Sequence, residues 1–139
     1  MTVPREPRVR QAPIPDDAVL VVRGDDLNPD TARSQAMAFR QRFPDWGRWG
    51  LSGFYARSEA EIEDIAADQL ERFPLLVVFE TGQLRAAGFD VVPTFRTPHV
   101  TIAFSNDLDA ALSRLVVLGV NHRPNPYHEH EPRDEGGGR

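Results

Sequence analysis

The chain contains no cysteine and no lysine. Without cysteine there are no disulfides, thiol nucleophiles, iron–sulfur clusters or thiolate zinc sites. Without lysine there is no phosphate-loop lysine, no Schiff base and no lysine general base. All 16 basic residues are arginine, a bias that fits a GC-rich bacterial coding sequence. No apolar run approaches the ~18 residues of a membrane helix. The first fifteen residues hold arginines with no apolar stretch after them, so they do not read as a signal peptide. The expectation is a cytoplasmic protein with no membrane role.

The 139 residues correspond to a single domain. Net charge is −5, and the negative charge is concentrated between residues 16 and 120. An acidic body is a poor match for duplex nucleic acid, whose affinity comes largely from phosphate neutralisation.

The ends differ in composition from the middle. Residues 1–15 hold four prolines, and residues 121–139 hold three prolines, three glycines and one aromatic. Neither offers much apolar surface to offset its ordering entropy, so both read as disordered, flanking a domain over 16–120.

Within that domain, Ala18 to Val22 is a solid apolar run and reads as a buried strand ending at Arg23-Gly24. Asn28 before Pro29 reads as a helix N-cap, with Met37, Phe39 and Phe43 facing inward up to Pro44. Asp45 to Gly50 reads as a loop and Leu51 to Ala56 as a strand. Ser58 and Glu61 form a capping-box pattern opening a helix to about Arg72. Leu75 to Phe79 reads as a strand, Thr81 to Ala87 as a helical turn, and Asp90 to Phe95 and Val100 to Phe104 as two further strands. Asn106 or Asp107 caps a last helix, stopped by Gly119. The order β-α-β-α-β-(α)-β-β-α gives an α+β (mixed α/β) domain, with one five-stranded mixed sheet and two to three helices.

Four groups of residues carry possible chemistry. His99 and Thr101 share one face of a strand, where a histidine beside a hydroxyl suits proton transfer and phosphate binding. The string His99-Val100-Thr101-Ile102 resembles the H-x-T-hydrophobic motif of the 2H phosphoesterases, which use two such motifs; this chain has one. Arg23, Ser52 and Glu80 each stand in or at the end of an expected strand. Their order is similar to the R-S-E signature of ADP-ribosyltransferases. That resemblance implies an arginine on dinucleotide phosphates, a serine buttressing the site and a glutamate at the ribose. The alternative for both groups is polar solvation of strand faces and ends.

Trp46 and Trp49 flank an arginine in the expected loop, placed either to dock a partner or to pack over the sheet. His128-Glu129-His130-Glu131 offers metal-competent donors, but it falls in the expected tail, where ordering costs oppose binding. No metal or cofactor is assigned. The run Glu59, Glu61, Glu63, Asp64, Asp68 reads as a solvated helix face.

Two functions follow. One is an accessory or interaction protein, such as one component of a two-gene toxin–antitoxin-like module, with a protein partner or a second copy of itself. The other is a small enzyme acting on a nucleotide or phosphoester through His99, Thr101 and Arg23. Convergence of these residues in one concave site favours the second.

Overall fold

A computed structural model of the chain describes residues 5–11, 13–16, 19–25, 28, 30–105, 107–119 and 121–128. In chain order the elements are β1 (Leu20–Asp25), α1 (Thr31–Arg42), β2 (Trp49–Ala56), α2 (Glu59–Asp68), β3 (Leu75–Glu80), α3 (Thr81–Ala86), β4 (Asp90–Pro93), β5 (His99–Phe104), α4 (Leu108–Leu118) and β6 (Asn121–Pro124). The α+β class stands. The sheet, however, has six strands in the order β4-β5-β2-β1-β3-β6, and each neighbouring pair is antiparallel. It is therefore not the five-stranded mixed sheet expected from the alternation of strands and helices.

The sixth strand comes from the segment read as a tail. Asn121–Pro124 is polar, so it carries no strand signature of its own. It adds to an already formed sheet, pairing Arg123 with Leu76 and His122 with Val77. Pro124 ends it at the sheet margin, where a missing N–H costs no ladder bond. Beyond it, the buried Asn125 donates from Nδ2 to the carbonyls of Leu70 (2.8 Å) and Phe73 (3.0 Å). Residues 129–139, which include Glu129, His130 and Glu131, lie outside the described residues.

The segment expected to be an N-terminal arm also has structure where it is described. Pro7 and Ile14 are buried, and Val9 forms an antiparallel bridge with Thr94. Arg10 donates from Nη1 to the carbonyls of Thr94 (2.7 Å) and His99 (2.9 Å). Composition counts miss this because one arginine satisfying several carbonyls, with two apolar plugs, is enough to seat a short segment.

Side-chain alternation assigns the two sheet faces. Val21, Leu51, Val77, Phe79, Val100 and Ile102 point to one face and meet Ala36 of α1, Leu84 of α3 and Ala111 and Leu115 of α4. Val22, Ala56, Leu76 and Val78 point to the other and meet Ile62, Ile65 and Ala66 of α2. Ser58 caps α2, its Oγ accepting from the Glu61 amide at 3.2 Å, while Glu61 Oε1 accepts from the Arg57 amide, one residue before the cap, at 2.9 Å. Asp107 caps α4 through the Ala110 amide at 3.1 Å; Asn106 lies outside the described residues. The N-cap of α1 is Asp30 rather than Asn28. Asn28 instead closes a local turn, its Oδ1 accepting from the Asp30 amide at 2.9 Å. The helix α2 ends at Asp68, short of Arg72.

One irregularity positions the site. The β1–β2 ladder covers only Leu20–Val22 against Ala56–Phe54. Yet β1 continues to Asp25 on β3, and β2 begins at Trp49 on β5. The two central strands thus part company halfway along their length.

Candidate functional site

Where β1 and β2 separate, a cleft of about 380 Å³ opens. Its floor is strand: Arg23 and Gly24 from β1, Gly50, Ser52 and Phe54 from β2, and His99 from β5. One wall is α1, which contributes Gln35, Ala38, Phe39 and Arg42. These residues fall at i, i+3, i+4 and i+7, a single helix face. The opposite wall follows α2, with Gln69, Leu70, Arg72 and Phe73.

The charge in this cleft is of one sign. Arg23, Arg42 and Arg72 line it with His99, and no aspartate or glutamate is among its described lining residues. None of the three arginines forms an ion pair with a described residue, whereas Arg5, Arg33, Arg48, Arg85 and Arg123 each pair with a carboxylate. Arg42 lies over the Phe43 ring at 4.9 Å, and Arg72 over Phe73 at 5.4 Å. Such stacking holds a guanidinium in place without neutralising it.

Arg23 is bound into the opened seam. Its Nη1 donates to the Ser52 carbonyl at 2.6 Å, and Nη2 donates to Gln35 Oε1 at 2.9 Å. The guanidinium thereby occupies a carbonyl that the shortened β1–β2 ladder leaves without a strand partner. Burial lowers its pKa from the usual arginine range to about 10, opposed by the nearby charge of Asp25. It still carries its proton at neutral pH.

His99 is fixed from behind. Its Nδ1 lies 3.2 Å from the Thr94 carbonyl and 3.0 Å from Thr94 Oγ1. A carbonyl only accepts, so the ring proton belongs to Nδ1, and Nε2 is the basic nitrogen. The ring stands edge-on to Phe54 at 5.3 Å and lies 5.2 Å from Phe95. Burial lowers its pKa below the ordinary value, the hydrogen bond to Thr94 opposes this, and the Arg10 charge lowers it further. The imidazole is therefore neutral at pH 7. It is suited to accept a proton at Nε2.

Compared with known protein families, curated proteins and solved structures, the chain matches none. The geometry alone therefore carries the functional argument.

The residues picked out from the sequence separate into three groups. Arg23, Ser52 and His99 converge in the cleft. Thr101 does not reach it as a phosphate ligand. It is fully buried, and its hydroxyl lies 2.7 Å from Thr94 Oγ1, behind the histidine. Central position in β5 explains this, because Ser52 covers the sheet on one side of Thr101 and Val92 on the other. Glu80 also stands outside the cleft. It pairs with Leu20, whereas Arg23 pairs with Val77, and that offset of three residues along a strand is about 10 Å. The arginine–serine–glutamate arrangement is not assembled.

Trp46 and Trp49 lie outside the cleft lining and pack within the chain. Trp46 meets Phe39 at 5.7 Å, and Arg40 lies over Trp49 at 4.4 Å. Trp49 belongs to β2 rather than to the preceding loop. His122 faces Asp25 at 4.0 Å, at a second cavity of about 330 Å³ lined by Val77, Phe79 and Leu115. Among the described residues, no group of three or more histidine, cysteine or acidic residues could hold a metal, and no helix is long and apolar enough to cross a membrane.

Sequence reasoning missed Arg42, Arg72, Gln35 and Gln69. The α1 stripe was available as spacing, but its polar members resemble a solvated face. The sequence shows no sign that the strands beneath would part.

Proposed function

We propose that this protein binds a small phosphate-bearing molecule in the cleft between β1 and β2 and acts on its phosphoester. The observation that carries the reading is a lining with no acid among the described residues, which sets Arg23, Arg42, Arg72 and His99 on one concavity of an otherwise acidic chain. Arginine's planar set of donors matches phosphate oxygens in geometry as well as charge. In hydrolysis, His99 Nε2 takes a proton from a water as its oxygen bonds to phosphorus. The ester P–O bond breaks, and the proton returns from the imidazolium to the leaving alkoxide. The Thr94 carbonyl, held by Arg10, keeps the ring in the required tautomer.

Calorimetric titration with pyrophosphate and with an aryl phosphate tests binding, and release of the phenol tests turnover. The double substitution R42Q/R72Q weakens binding at least tenfold. Affinity unchanged in that variant, or no binding by the unmodified protein, overturns the reading.

A second reading, an accessory protein that docks on a partner, is favoured by a different observation. Val116 and Val117 of α4 are 73% and 70% exposed. Substituting both with serine would then abolish partner capture without changing phosphate binding.

A further inference from the structure

We infer that the ligand of the cleft is a free mononucleotide, with its base against the Phe39 and Phe73 rings and its phosphate on the arginines. This rests on the phosphate-binding reading above and adds the class of molecule. The first observation is how those two rings are seated. A Cβ at Gly50 would lie 2.5 Å from Phe39 Cδ1, and one at Gly24 would lie 2.2 Å from Phe73 Cδ2. Each ring therefore rests directly on bare strand backbone, Phe39 coming from the α1 wall and Phe73 from the wall after α2. Any larger residue at either glycine would push the ring away from the floor. The seam thus carries apolar ring surface from both walls, beside the guanidinium groups.

The second observation is the polar lining beside those rings. Gln35 and Gln69 each bring a carboxamide, which can donate and accept. Gln35 Oε1 already accepts from Arg23, so its NH₂ remains to donate. An inorganic anion or a sugar phosphate would use the arginines and leave the rings and amides unmatched. An apolar ligand would leave Arg42 and Arg72 without a counter-charge among the described residues. A base, with a π-face and a hydrogen-bonding edge joined to a phosphate, matches all of these groups.

A longer strand fits less well. The α2 residues Glu59, Glu61, Glu63, Asp64 and Asp68 precede the Gln69–Phe73 wall, and the whole chain is net negative at −5. A polyanion extending out of the cleft meets repulsion that a single phosphate does not.

The test is a calorimetric series on the full chain with the four ribonucleoside monophosphates, ribose 5-phosphate, inorganic phosphate and a ten-nucleotide single strand. The expected result is that at least one mononucleotide binds about tenfold or more tighter than ribose 5-phosphate. F73L, checked by thermal melting, removes that advantage, because mononucleotide affinity falls by more than ribose 5-phosphate affinity does. Ribose 5-phosphate binding as tightly as every nucleotide overturns the inference while the phosphate reading stands. The ten-mer binding more tightly than its mononucleotides also overturns it, in favour of a strand site. No binding by any phosphate compound overturns the phosphate reading itself. The comparison of ligands on the unmodified protein decides the question even if F73L does not fold.

Discussion

Replacing Arg23 with methionine separates the demands of folding from those of ligand binding. Methionine keeps an unbranched apolar stem and removes the guanidinium. Two hydrogen bonds are lost, to the Ser52 carbonyl at 2.6 Å and to Gln35 Oε1 at 2.9 Å. Hydrogen bonds of a charged group contribute roughly 1.5–3 kcal/mol each when the alternative is an unsatisfied partner. Here that alternative is mild, because Ser52 and Gln35 are exposed and water replaces the arginine. Against this stands desolvation, which lowers the Arg23 pKa to about 10. On the order of 3 kcal/mol is then charged against the protonated form in the folded state. The two effects nearly offset. R23M is expected to change stability by no more than about 1 kcal/mol, or roughly 3–5 °C in Tm for a domain of this size. The same variant is expected to lose at least tenfold in affinity for a phosphate ligand. Urea denaturation and calorimetric titration on one preparation measure both. A stability loss above about 3 kcal/mol would refute the reasoning, because it would make Arg23 a structural pin across the seam.

Three other perturbations have defined outcomes. His99 has a lowered folded pKa, so the stability it contributes is present above its ordinary value of 6.5 and is lost as pH falls through the folded value. Urea midpoints from pH 7.5 to 5 should therefore fall more steeply for the unmodified protein than for H99Q, and parallel curves would contradict this. Asn125→Ala leaves the Leu70 and Phe73 carbonyls without their donor and should cost about 1–3 kcal/mol by denaturant titration, with weaker ligand binding because the Phe73 wall loosens. Ser58→Ala removes the α2 cap and should cost about 1 kcal/mol with ligand affinity unchanged, so a drop in affinity would show that α2 is coupled to the cleft.

Much of the fold was legible in the sequence where local signals were strong. Leu75 to Phe79 is a short β-branched and aromatic apolar run bounded by Pro74 and Glu80, and it forms a buried strand, while Ser58 and Glu61 fix the start of α2 by bonding the Glu61 and Arg57 amides. The sixth strand was hidden because Asn121–Pro124 owes its conformation to the Leu75–Val78 edge it meets. No local propensity announces such an edge strand. In the site, Arg23, Ser52 and His99 were found as polar residues in apolar strands. Thr101 and Glu80 carried the same signal but belong to a buried pair and to a distant strand end. Arg42 and Arg72 were not found, because arginine on a helix face or in a loop usually belongs to the solvent. Only the tertiary gap gives these exposed side chains a common concavity.

The early end of the β1–β2 ladder has a mechanical consequence. The sheet consists of two three-stranded leaves, β4-β5-β2 and β1-β3-β6, joined by a spine of three residue pairs. Asp25 lies three residues beyond the spine, a lever arm of about 10 Å. Rotating one leaf against the other by about 10° therefore moves the open end by about 2 Å, the difference between a made and a broken hydrogen bond. The fit of any guest between the leaves is thus set by how stiffly Leu20–Val22 grips Phe54–Ala56. Under the proposed function, substitutions buried in that spine are expected to alter ligand affinity from beneath the site.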